Sequence, residues 1–153
     1  MKVKTELQDG LLAKYRDLFY QKDLDMTQTC MCWGIDTGDG WYDILDKMCE
    51  AIVVHQQFKK DLPVSFAQIK EKFGELRVYF DGGDDYVEGV ISMAERMSVV
   101  TCETCGAPGK KIPGGWIRTS CNACARCVGE DYRAAVTRAA GTKKDSMEEN
   151  EEE

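Results

Sequence analysis

Two close cysteine pairs, Cys102-Glu-Thr-Cys105 and Cys121-Asn-Ala-Cys124, stand fifteen residues apart, and this spacing constrains the chain more than any other feature. Each pair is a knuckle that offers two sulfurs, and the residues between them suffice for a hairpin that returns the chain to one tetrahedral ion. Gly106 after the first pair lets backbone amides turn toward the sulfurs, and Gly114-Gly115 supplies a bend. Trp116 to Thr119 then reads as the strand that delivers the second pair. The expected ligands of one structural zinc ion are Cys102, Cys105, Cys121 and Cys124, with Cys127 as the alternate to complete a Cys124/Cys127 pair. Four thiolates close the coordination shell, so the ion is expected to support a lobe and not to catalyse.

Residue content excludes a deaminase and weighs against the other classes open to such a cluster. A zinc deaminase needs His-x-Glu and Pro-Cys-x-x-Cys. The single histidine, His55, is followed by Gln56-Gln57, and no cysteine follows a proline. Cys30-x-Cys32 has the wrong spacing for a thiol-disulfide motif, and Cys30, Cys32 and Cys49 would need a further ligand to form a second metal site. No phosphate-loop, dinucleotide or serine-hydrolase motif occurs, so no catalytic residue is assigned and an enzyme is not expected.

Charge is distributed unevenly. The overall −7 divides into −6 for residues 1–101, +5 for 102–144 and −6 for 145–153, which makes the cysteine-bearing part the only basic one. Lys110, Lys111, Arg118, Arg126, Arg133 and Arg138 are therefore the candidate nucleic-acid contacts. Net negative charge repels nucleic acid at long range, which favours a protein partner as the first expectation. No stretch approaches a membrane span, and the first residues lack the apolar core of a signal peptide; the expected location is the cytoplasm.

Periodicity predicts an α+β fold. A helix is expected over about 6–20, with Leu7, Leu11, Tyr15 and Leu18 on one face, followed by an irregular segment to Thr37. A second helix over about 41–59 buries Trp41, Leu45, Met48 and Ile52, with Cys49 also inside and Asp39 as its cap. Strands over 64–70 and 75–80 form an antiparallel hairpin around Glu71-Lys-Phe-Gly74. A third helix runs to about Val99 with Tyr86, Val90, Met93 and Met97 on its apolar face, and a last one spans 129–140. The expected organisation is an acidic α+β body (1–101), a zinc-ribbon-like lobe with the final helix (102–140) and a disordered acidic tail (141–153).

The ordered set Gly38-Asp-Gly-Trp41, Ile69-Lys-Glu-Lys-Phe-Gly-Glu-Leu-Arg-Val-Tyr79, Cys102-x-x-Cys-Gly-Ala-Pro-Gly109 and Gly115-Trp-Ile-Arg-Thr119 resembles a group of short phage and bacterial proteins without a defined activity. The likeness covers about residues 38–124. It implies a phage or bacterial setting, hence the host cytoplasm if phage-encoded, and a zinc knuckle whose fourth ligand is histidine or cysteine. It carries over no catalytic residue.

Overall fold

The computed structural model describes residues 4–127 of the 153-residue chain. The first helix, α1 (Thr5–Lys14), buries Leu11 but ends six residues before the predicted Tyr20. The reason is tertiary. The Tyr15 hydroxyl donates to the Asp46 carbonyl and to its Oδ1, at 3.1 and 2.7 Å, and the Leu18 carbonyl accepts the Phe66 N–H at 2.8 Å instead of continuing the helix. Leu18 and Phe19 are buried in this non-helical arrangement, and the Phe19 and Phe66 rings meet at 5.0 Å.

The segment before residue 37 contains two short 3-10 turns and a two-residue strand, β1 (Ile35–Asp36), which periodicity could not reveal because two residues show no alternation. Helix α2 (Tyr42–Phe58) buries Leu45, Met48, Cys49 and Ile52, as its pattern required, and Trp41 is fully buried at its start. No side chain caps α2: Asp39 instead accepts the Lys4 backbone N–H at 2.7 Å.

Strands β2 (Val64–Lys72) and β3 (Glu75–Gly82) pair antiparallel, and β1 joins β2 in parallel through Ile35 opposite Ile69. Leu76 and Val78 point into the core while Tyr79 faces outward, as alternation predicts. The connection is shorter than expected. Lys72 pairs with Glu75, so only Phe73 (φ 53°) and Gly74 (φ 77°) form the turn, both in the left-handed region that matches strand twist in a two-residue hairpin.

Helix α3 (Asp85–Ser98) starts at Asp84, whose side chain accepts the Val87 N–H at 3.2 Å. Its buried face is Val87, Ile91, Ala94 and Ser98, while Tyr86, Met93 and Met97 are exposed and Val90 is half-buried. The predicted face was one stripe out of phase. Small Ala94 and Ser98 let α3 lie close to β3, where the Ser98 hydroxyl accepts the Leu76 N–H and Glu95 accepts the Val78 N–H, at 2.9 and 3.0 Å. Those bonds satisfy β3 amides that an edge strand would leave open. At the far end of α2, His55 Nε2 lies 2.9 Å from Asp84 Oδ2 and its ring stacks on Tyr86 at 4.2 Å, a packed role and not a ligand's.

The last strands, β4 (Lys110–Ile112) and β5 (Arg118–Ser120), form an antiparallel hairpin with Ile112 opposite Arg118. The chain divides into two units, Met1–Cys121 and Asn122–Glu153. Of the second unit, residues 122–127 are described and are helical. The expected helix over 129–140 and the acidic tail lie outside the described residues, and among those described no helix is long and apolar enough to cross a membrane.

Candidate metal centre

After α3, the chain turns tightly. The Cys102 N–H donates to the Ala107 carbonyl at 2.7 Å, and the Gly106 N–H returns to the Cys102 carbonyl at 2.9 Å, with Gly106 at φ 78°. This knuckle presents Cys102 and Cys105 on a closed loop. The β4–β5 hairpin brings Cys121 back beside it, so that the Cys105 and Cys121 sulfurs are 3.7 Å apart. The Cys102, Cys105, Cys121 and Cys124 sulfurs all lie within 4.8 Å of one another.

These separations fit a metal ion. Bonds of about 2.3 Å in a tetrahedron place neighbouring sulfurs about 3.8 Å apart, close to the Cys105–Cys121 distance. Cys102 is also prepared as an anion: burial opposes its ionisation, but the backbone amides of Cys121, Cys105 and Thr104, with the Cys105 thiol, outweigh that and lower its pKa to about 6. Cys127, the alternate ligand, is exposed and outside the four-sulfur set. Cys30, Cys32 and Cys49 join no metal-ligating cluster among the described residues; Cys49 is fully buried, and burial raises its pKa.

The cysteine hairpin is seated on the body by residues that spacing alone did not identify. The Gly40 N–H donates to the Glu103 carbonyl at 2.7 Å, the Gly38 N–H to Glu103 Oε1 at 2.9 Å, and the Trp41 indole N–H to the Thr101 carbonyl at 2.9 Å. A Cβ on Gly40 would stand 2.1 Å from the Cys102 carbonyl oxygen, and one on Gly38 2.3 Å from that of Glu103. The Gly-Asp-Gly-Trp segment is therefore the seat of the first knuckle. Its two glycines let backbone meet backbone, while Asp39 between them accepts the Lys4 N–H and does not cap the helix.

A second seat is the β2–β3 turn. The Thr119 hydroxyl donates to the Gly74 carbonyl at 2.6 Å, and a Cβ on Gly74 would meet the Arg118 backbone at 3.1 Å. The Thr119 carbonyl accepts the Glu103 N–H at 3.0 Å, linking the two seats. Glu103 is itself buried, which raises its carboxyl pKa despite the opposing Gly38 N–H bond. The clue in the sequence was the placement of glycines at 38 and 40, since Gly74 is already accounted for by its turn.

Of the basic candidates, Lys110 and Lys111 lie on β4 and Arg118 on β5, and the Lys111 ammonium pairs with Glu75. Arg126 falls in the 122–127 helix, while Arg133 and Arg138 lie outside the described residues. No family model, curated protein or solved structure matches the chain.

Proposed function

We propose that the chain is a non-enzymatic binding module, held together by one structural zinc ion, that regulates or inhibits a protein partner in a phage-infected or bacterial cytoplasm. The observation that carries this reading is the convergence of four cysteine sulfurs on one point. Zinc is the ion that matches four thiolates without a redox requirement, and a shell completed by protein leaves no position for substrate.

A partner-binding role is supported by the body's exposed apolar surface. A groove of about 370 Å³ between α2 and α3 is lined by Ile44, Met48 and Ala51 from one helix and Val90, Met93 and Met97 from the other. Methionine side chains adapt to the shape of a partner, and such grooves receive apolar helix faces. Affinity capture with zinc-loaded protein, tagged in turn at each end, should recover a stoichiometric protein that Met93→Asp and Met97→Asp fail to retain. Capture of none in either orientation, or retention by both variants, would overturn the reading.

A further inference from the structure

The tips of the two hairpins present a second surface, separate from the α2–α3 groove. The β2–β3 turn and the β4–β5 turn flank a cleft of about 400 Å³, lined by Glu71, Lys72 and Phe73 from the first and by Gly114, Gly115, Trp116 and Ile117 from the second. Phe73 is 66% exposed and Trp116 76% exposed.

Neither aromatic ring is explained by the fold. Phe73 is the one non-glycine residue with positive φ among those described, at a turn position that favours asparagine or glycine. It pays this strain without burying its ring. Trp116 follows two glycines at which an added Cβ would meet nothing within 4 Å, so no close packing dictates the local chain path.

A cation accompanies the rings. The Lys72 ammonium lies 5.6 Å from the centre of the Phe73 ring, and Lys72 makes no ion pair among the described residues. The nearby carboxylate Glu71 is committed to the turn, accepting the Gly74 N–H at 2.7 Å, and Glu75 is matched by Arg77 and Lys111. Exposed rings beside an ammonium group suit a ligand that alternates flat bases with phosphates.

We infer that the Phe73/Trp116 cleft binds single-stranded nucleic acid, with bases stacked on the two rings and a phosphate held by Lys72. Stacking without base-edge readout makes the site tolerant of sequence.

The test is fluorescence anisotropy with the zinc-loaded full chain and labelled oligothymidylate or oligouridylate of about 15 nucleotides. Binding is expected to both. Trp116→Ala and Phe73→Asn should each weaken it about tenfold while leaving the thermal midpoint no lower than about 2 °C below wild type. One phosphate contact would weaken wild-type binding about 2.6-fold between 50 and 200 mM salt, and Lys72→Glu should flatten that dependence. No binding of either strand, equal binding of a duplex, or affinity unchanged in the tip variants would overturn the inference. So would loss of a captured protein partner in Trp116→Ala when neither oligonucleotide binds, because the rings would then belong to a protein interface.

Discussion

Gly40 is a residue at which the metal knuckle and the body meet backbone to backbone. Its missing side chain leaves room for the Cys102 carbonyl, and a methyl group there would collide with backbone, which cannot rotate away. Gly40→Ala should therefore cost about 2 to 3 kcal/mol and weaken zinc at least tenfold, measured by urea unfolding and by competition with a chromophoric chelator. Wild-type affinity in this variant would show that the first knuckle forms without its seat. Phe73 gives the opposite expectation. Replacing it with asparagine relieves a left-handed aromatic residue and should raise stability by about 0.5 to 1 kcal/mol, seen as a higher urea midpoint. The four cysteines were legible because thiolate chemistry imposes a sequence spacing. The seats at Gly38, Gly40 and Gly74 were not, because what they accommodate lies 44 to 65 residues away in the chain.

At the scale of elements, the phase of α3 is the sharpest correction. Counting large apolar residues selects Met93 and Met97, whereas the helix turns Ile91 and Ala94 inward. Ile91→Ala should cost about 2 to 4 kcal/mol and Met93→Ala less than about 0.5 kcal/mol in the same denaturation series; similar costs would restore the predicted face. Periodicity placed α2 and β3 because each buries one face. It overextended α1 because the interactions of Tyr15 and Leu18 that redirect the chain are non-local.

The start of α3 also carries a pH dependence. His55 and Lys59, helped by the Val87 N–H, hold the Asp84 carboxyl well below its usual range. A lowered folded-state pKa gives stability that is complete above the unfolded value of about 3.9 and is lost as pH falls through the folded one. Asp84→Asn should thus be less stable than wild type at neutral pH, with the difference shrinking below about pH 4. A difference that stays constant on acidification would mean that the charge of Asp84 contributes nothing.

Across the whole molecule, the metal lobe and the body depend on each other. The hairpin that brings Cys121 to the first knuckle rests on the β2–β3 turn through Thr119, and the knuckle rests on the entry to α2 through Gly38, Gly40 and Trp41. Zinc removal should consequently loosen the start of α2 as well as the hairpin, read as a change in Trp41 fluorescence in a chain whose Trp33 and Trp116 are replaced by phenylalanine. Fluorescence unchanged by a chelator that removes the ion would separate the two regions. The ligand set itself is tested most directly by native mass spectrometry of wild type, Cys124→Ser and Cys127→Ser. One zinc ion should be present in wild type and Cys127→Ser and absent from Cys124→Ser. Retention in Cys124→Ser with loss in Cys127→Ser, or two ions in wild type, would contradict a single site built from Cys102, Cys105, Cys121 and Cys124.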